Sequence, residues 1–167
     1  GEPDAFDDVA HQVTLIERQT RDGSNGLLYH AWDESRQQRW ANPVTGCSPH
    51  FWGRALGWYV MAIPDVLDHL PENHPQRADL ITIFARTLAA LIAVQDQESG
   101  VWYQVLDQGD RPGNYLEASA SCMIAYALAK GIERGYLEQS SYKLAAQRAY
   151  QGILARFVEV DQAGLVN

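Results

Sequence analysis

Residues 52–62, WGRALGWYVMA, and residues 115–125, YLEASASCMIA, are two versions of one pattern. Each begins with an aromatic residue, carries one charged side chain two positions later, Arg54 or Glu117, and continues as an apolar run rich in small residues. Polar groups are confined to the first two turns of each stretch, and small side chains let helices approach closely. The pattern therefore predicts two buried helices that pack tightly.

These two predicted helices cover Phe51–Leu70 and Tyr115–Arg134. Pro64 lies inside the first of them, where we expect a kink and not a break because the apolar pattern continues beyond it. Three further helical stretches carry one polar face each and are predicted to lie outside the buried pair. They are Phe6–Thr20, Ala78–Gln95 and Tyr142–Val158.

An Asp/Gly turn follows each of the outer helices. The three turns read DGSNGLLYH at residues 22–30, DQESGVWYQ at residues 96–104 and DQAGLVN at residues 161–167. Outer helix, turn, loop and inner helix thus repeat with a period of about 70 residues, which is typical of an array of helical hairpins. We predict one all-α domain over residues 1–167 with about two and a half hairpins. A closed array needs more, so we expect the sequence to be cut at both ends.

The composition narrows the classes of function. The chain carries 21 acidic and 13 basic residues and a net charge of −8, so a basic surface for nucleic acid is not expected. No apolar run is long enough to cross a membrane. Two cysteines without metal-ligand spacing suggest free thiols, and we expect a cytoplasmic protein. Motifs for nucleotide, zinc or serine-hydrolase chemistry are absent, so the sequence suggests none of these three chemistries.

Arg54 is the strongest candidate for ligand binding. Its guanidinium can fork onto a carboxylate, while Trp52 and Trp58 can stack on a sugar ring or hold the arginine through a cation–π contact. The helix N-terminus also favours an anion. An equally plausible alternative is a structural ion pair in a tryptophan-rich core, with Asp33 as the partner.

The other candidates are less specific. His30 could hydrogen-bond a sugar hydroxyl or carboxylate, or it could hold a loop carbonyl. Glu117, the repeat counterpart of Arg54, and Ser119 could donate or accept hydrogen bonds in the same cavity. Alternatively, Glu117 caps its helix while the serines bond back to the preceding turn.

Taken together, these residues resemble glycoside hydrolase family 105, which contains the unsaturated rhamnogalacturonyl hydrolases. The resemblance is carried by YHAWDE at residues 29–34, WANPVTGCSPHFWGRALGWY at residues 40–59, DVLDHLP at residues 65–71 and NYLEASAS at residues 114–121. It covers nearly the whole chain.

The resemblance implies an (α/α)6 barrel of six helical hairpins with the site at one end of the inner helices. It also implies a reaction on a 4,5-unsaturated uronic acid. An aspartate protonates the double bond, water adds at C5, and the resulting hemiketal opens and releases the neighbouring sugar, with no metal or cofactor needed. By the same resemblance, Arg54 and Trp58 would hold the uronate, Trp52 would form an aromatic wall, and His30 would be a site histidine. Asp33, Glu117 and Ser119 match less securely.

One departure from the family concerns the proton donor. The aspartate lies in a DGLYM-like motif in family members, and no such motif occurs in this sequence. We therefore expect an internal piece of such an enzyme, without appreciable activity unless Asp33 or Glu117 acts as the acid. The alternative is a non-catalytic module that binds a uronate or assembles with itself. In either case we expect an unsaturated oligosaccharide as ligand, and either a homo-oligomer or association with the missing parts of the barrel.

Overall fold

The computed structural model describes residues 3–161, and the secondary structure is helical with isolated bridges between loops. The predicted third turn, residues 161–167, lies outside the described residues apart from its first position. The helices, in chain order, are α1 Pro3–Thr20, α2 Gly53–His69, α3 Arg77–Ala93, α4 Ala118–Glu133 and α5 Gln139–Phe157. All five predicted helices are confirmed to within about three residues at each end.

The helices form two layers. The inner helices α2 and α4 run side by side in the same direction, and the outer helices pack behind them, α1 against α3 and α5 against α4. The core between the layers is built from fully buried large side chains. They include Leu56, Ile63, Phe84, Leu88, Trp102 and Ile124. This is the hairpin arrangement of an (α/α)6 barrel, as the sequence predicted.

Close contact between the inner helices depends on glycine at two positions of α2. A Cβ atom at Gly53 would lie 3.0 Å from the Tyr103 carbonyl oxygen and 3.2 Å from the Ala120 Cβ, and a Cβ at Gly57 would lie 3.1 Å from Met123. The two glycines therefore allow α4 and its preceding loop to approach α2. Pro64 is buried inside α2, and the helix continues through it.

Two long loops meet at the N-terminal ends of α2 and α4, which we call the mouth. The first loop, residues 21–52, connects α1 to α2, and the second, residues 94–117, connects α3 to α4. Backbone hydrogen bonds join the loops, from Gly53 to the Gln104 carbonyl and from Leu106 to the Phe51 carbonyl. The mouth is therefore a framework of two loops fixed to each other. Among residues 3–161, no helix has the length and apolar character needed to cross a bilayer.

Candidate functional site

The centre of the mouth is an arginine held between an indole and a buried carboxylate. The Arg54 guanidinium lies 4.4 Å from the centroid of the Trp52 ring. Its Nη1 atom donates to Glu117 Oε1 at 2.5 Å, and Ser119 Oγ donates to the same oxygen at 2.6 Å. We call Trp52, Arg54, Glu117 and Ser119 the mouth cluster. The structure thus brings together four of the residues that the sequence singled out.

Burial differs sharply between the two charged members of the cluster. The Glu117 residue is 4% exposed, whereas the Arg54 side chain is 38% exposed. Among residues 3–161, Nη1 is the only side-chain nitrogen of Arg54 with a hydrogen bond in the structure. Because a guanidinium carries five N–H donors, most of the donors of Arg54 make no hydrogen bond to a described residue.

The predicted partner of Arg54 in the structural alternative was wrong. Asp33 accepts hydrogen bonds within its own turn, from the backbone of Ser35, Gln37 and Gln38 and from the Ser35 hydroxyl. These bonds, led by the one from the Gln38 backbone, hold the pKa of Asp33 below its ordinary value. Asp33 is a turn-forming residue, and Glu117 pairs with Arg54 instead.

The interpretation of Glu117 as a helix cap was also wrong. Glu117 occupies the N-cap position of α4, but its side chain makes no capping hydrogen bond and reaches across to α2 instead. The expected back-bonding of a serine is present, since Ser121 Oγ donates to the Glu117 carbonyl at 2.7 Å. One feature remains uncompensated: Glu117 Oε2 is buried and has no hydrogen-bond partner among the described residues.

His30 lies beside the mouth cluster. Its ring meets Trp52 edge-on with the centroids 6.0 Å apart, and its Nδ1 atom lies 2.8 Å from the His50 carbonyl oxygen. This contact requires a proton on Nδ1, so a neutral His30 has Nε2 as its acceptor. The two interpretations of His30 are therefore compatible, because one nitrogen holds a loop carbonyl while the exposed ring presents the other nitrogen.

Trp58 belongs to a neighbouring apolar groove. It is 61% exposed and lines a groove of about 700 Å³ between α1 and α2, together with His30 and Trp32. Arg54 and Trp58 lie one turn apart on α2, so an elongated ligand could contact both. Of the two tryptophans near Arg54, only Trp52 makes the cation–π contact.

Two contributors to the site were missed in the sequence. The His50 carbonyl and the Ser48 hydroxyl, 3.1 Å from His30 Nδ1, fix the histidine ring; both lie in the stretch 40–59 that carries the family resemblance, but neither was singled out as a site residue. The Arg54–Glu117 pair, in contrast, had a detectable signal. Opposite charges occupy equivalent positions of two repeats, and equivalent positions of neighbouring parallel helices lie side by side.

Comparison with known proteins agrees with this architecture. The family model described as Glycosyl Hydrolase Family 88 matches residues 1–167, so the chain belongs to that family. A solved glycoside hydrolase from family 105 of Clostridium acetobutylicum is 52% identical with a TM-score of 0.96, over 99% of this chain and 46% of that one. The resemblance to family 105 and the barrel fold are thereby confirmed.

Two curated relatives extend the comparison. Protein Atu3128 of Agrobacterium fabrum is 42% identical over 99% of this chain and 71% of its own length. Unsaturated rhamnogalacturonyl hydrolase YesR of Bacillus subtilis is 33% identical over 98% of this chain and 42% of its own. The chain therefore spans less than half of YesR and of the Clostridium structure.

Proposed function

We propose that this chain provides the uronate-binding part of a glycoside hydrolase that acts on 4,5-unsaturated galacturonyl-rhamnose oligosaccharides, the products of rhamnogalacturonan cleavage in pectin. The observation that carries this proposal is the half-exposed Arg54, held on the Trp52 ring with most of its donors available. The name of the relative YesR gives the substrate class.

The chemistry of the mouth cluster suits an unsaturated uronate. A planar carboxylate accepts two parallel hydrogen bonds from a guanidinium, and the N-terminal end of α2 adds a favourable dipole. The flat face of an indole suits a sugar ring, in particular one flattened by a double bond. In this proposal Arg54 binds the carboxylate, Trp52 and Trp58 contact the ring, and His30 and Ser119 hydrogen-bond hydroxyl groups.

Neither acidic candidate in the chain is suited to protonate the double bond. A general acid needs a proton near neutral pH, and the pKa of Asp33 is lowered by the backbone N–H of Gln38. Glu117 is buried with its carboxylate directed to Arg54. We therefore propose that the 167 residues bind the uronate without turning it over. Proton transfer to C4 and addition of water at C5 would depend on an acid outside them.

Calorimetric titration with an unsaturated galacturonyl-rhamnose disaccharide tests the proposal. We expect binding of the free acid and much weaker binding of its methyl ester, which lacks the charge. Incubation with the disaccharide should leave the ultraviolet absorbance of the conjugated uronate unchanged. Equal affinity for acid and ester would contradict the role of Arg54, and turnover lost in Asp33→Asn or Glu117→Gln would contradict the assignment of the acid.

A second candidate function is self-assembly, favoured by two apolar surfaces. One is the groove between α1 and α2 that contains Trp58, and the other is an almost wholly apolar groove of about 520 Å³ between α4 and α5 that contains Tyr150. Exposed apolar area of this kind marks interaction surfaces. We propose that the chain associates through them into a dimer or larger assembly.

Light scattering at micromolar concentration tests association. Tyr150→Lys, in the groove between α4 and α5, should shift the protein towards monomer. Leu144→Lys serves as the control, because Leu144 is equally exposed on α5 but does not line that groove. A wild-type monomer that melts sharply would contradict the proposal.

For location, we propose the cytoplasm, supported by the free thiols of Cys47 and Cys122.

A further inference from the structure

We infer that Glu117 is the positioning residue for Arg54, fixing the guanidinium on the Trp52 ring so that its other donors face a ligand carboxylate. The functional consequence rests on the proposed role of Arg54 in uronate binding. The positioning itself rests on contacts within the mouth cluster.

The Glu117 carboxylate is a rigid anchor. The Glu117 backbone N–H donates to the Trp102 carbonyl at 2.8 Å, and its own carbonyl accepts from the N–H and the hydroxyl of Ser121. Ser119 Oγ donates to the same carboxylate oxygen that Arg54 uses. With its backbone fixed on both sides and its carboxylate buried, Glu117 can hold a mobile partner in one place.

Arg54, in contrast, has a long side chain that is only partly covered. An arginine at a helix N-terminus loses much rotamer freedom when it is held in one orientation. The Trp52 ring covers one face of the guanidinium, and Glu117 holds Nη1. The ring contact and the hydrogen bond act in different directions, and together they fix the plane of the Arg54 guanidinium. Nη2 and Nε remain as the pair of donors that a carboxylate can accept side by side.

Stabilisation of the fold does not by itself explain the position of the Glu117 side chain. Its side chain does not cap α4, where a serine or aspartate would do so. Its Oε2 atom is buried without a partner among the described residues, and an unsatisfied buried acceptor is destabilising. The Glu117 side chain extends from α4 to α2 although this leaves Oε2 without a partner, and its position there is the one needed to hold Arg54.

Geometry and charge make opposite predictions for this residue. The negative charge of Glu117 reduces the attraction of Arg54 for a second carboxylate, so removing the charge alone should not weaken binding. Glu117→Gln keeps an oxygen that can accept from Nη1, whereas Glu117→Ala removes the support altogether. The two substitutions therefore separate positioning from electrostatics.

The first experiment measures affinity by calorimetry with the unsaturated galacturonyl-rhamnose disaccharide and its methyl ester. We expect Glu117→Ala to lower affinity for the acid by about ten-fold or more, the scale of one charged hydrogen bond, and to leave affinity for the ester unchanged. Glu117→Gln should bind the acid with an affinity close to that of wild type. Glu98→Ala is the control, since Glu98 is 90% exposed and pairs with Arg156.

The second experiment observes Arg54 directly and needs no ligand. In a nitrogen-15 NMR spectrum, a held guanidinium gives separate Nη signals, and a freely rotating one gives a merged signal. We expect separate Arg54 signals in wild type and in Glu117→Gln, and a merged signal in Glu117→Ala. Thermal melts of each variant check that it is folded. If Glu117→Ala does not fold, Glu117→Asp provides the test, because its shorter side chain withdraws the carboxylate from Nη1 and should also merge the Arg54 signals.

The outcomes distinguish the two proposals. If wild type binds no uronate but the Arg54 signals merge in Glu117→Ala, the proposed function fails and the positioning role stands. If the Arg54 signals in Glu117→Ala match wild type, the positioning role is overturned whatever the ligand does. Loss of acid and ester binding to the same extent would also overturn it, because that is the result of a general structural defect. Acid binding weakened as much in Glu117→Gln as in Glu117→Ala would also overturn it, because the oxygen that Gln retains would then not hold Arg54.

Discussion

Helices α2 and α4 are joined by ion pairs at both ends, and the two junctions are built differently. At the mouth, one arginine meets one buried glutamate whose second oxygen has no partner among the described residues. At the other end, Lys130 of α4 contacts both Asp65 and Asp68 of α2 at 2.6 and 2.8 Å. We call this second group, with Arg134 and Tyr136, the far cluster.

The far cluster satisfies its charges more fully. Asp68 receives Lys130, Arg134 and the Tyr136 hydroxyl, and its side chain is 18% exposed, so water also reaches it. The mouth cluster has fewer partners in a more buried place. The difference fits the proposal that the far cluster fastens two helices, whereas the mouth cluster presents Arg54 to a ligand.

The largest difference between the mouth cluster and the far cluster is expected when the positive charge of each cluster is removed. Arg54→Met leaves Glu117 buried without its positive partner, which should lower the free energy of unfolding by about 3–5 kcal/mol. Lys130→Met leaves Asp65 half exposed and leaves Asp68 with Arg134 and Tyr136, so it should cost less, about 1 kcal/mol. Chemical denaturation of both variants measures the difference.

A double substitution shows whether the loss comes from the stranded carboxylate. Arg54→Met with Glu117→Leu should recover most of the stability, because replacing both partners of a buried pair by apolar groups is often nearly neutral. Equal losses in Arg54→Met and Lys130→Met would remove the distinction between the two clusters.

Exchanging arginine for lysine should separate binding from stability. Arg54→Lys keeps a positive charge for Glu117, so the melting temperature should change little. It loses the planar fork, so affinity for the unsaturated disaccharide should fall by about 1–3 kcal/mol. Lys130→Arg is the matched exchange in the far cluster and should leave affinity unchanged. A large fall in melting temperature with unaltered affinity would make Arg54 a purely structural residue.

The fold was predictable from sequence because its determinants are periodic. Apolar spacing gave the helices, and glycine near each turn marked their ends, with Gly26 and Gly100 both in the left-handed region at φ values of 75° and 76°. The small residues at the start of α2 and α4 gave the close packing of the inner layer. These signals are local, so they can be recognised without a structure.

The site was predictable only in part. Residue type and motif indicated Arg54 and Trp52. The equivalent repeat position of Glu117 pointed to the partner of Arg54, but that contact spans 63 positions of chain and Asp33 offered a competing partner. Asp33 was a reasonable partner by charge and was wrong because its own turn uses its carboxylate. His30 depends on a carbonyl at position 50, and a backbone acceptor leaves no trace in sequence.

Two serine–glutamate hydrogen bonds, one buried in the mouth cluster and one exposed at the start of α5, allow a smaller test of how burial affects stability. Ser119→Ala removes one of two donors to a buried oxygen of Glu117 and should destabilise the protein by about 1 kcal/mol. Ser141→Ala is the control, because the Ser141 hydroxyl also donates to a glutamate, Glu138, at 2.8 Å, the group is exposed, and the backbone N–H of residue 141 keeps its own bond to Glu138. Its loss should be close to zero. Denaturation midpoints measured side by side would contradict the contrast if the two variants behaved alike.

The smallest expected effect is the pH dependence of the far cluster. The hydrogen bond from Lys130 lowers the pKa of Asp68 below its ordinary value of 3.8. A carboxyl group whose pKa is lower in the folded state stabilises the protein above its unfolded pKa, and this contribution is lost as the pH falls through the folded value. Wild type should therefore be more stable than Asp68→Asn at pH 7, and the gap should narrow below about pH 4.

High salt should narrow the gap at pH 7 too, because the Debye length falls to about 3 Å at 1 M and Asp68 is partly solvated. Unfolding curves at several pH values and two salt concentrations would show both trends. A gap that stayed constant from pH 7 to pH 3 would mean that Asp68 contributes through packing and not through its charge, which would remove the ionic basis of the far cluster.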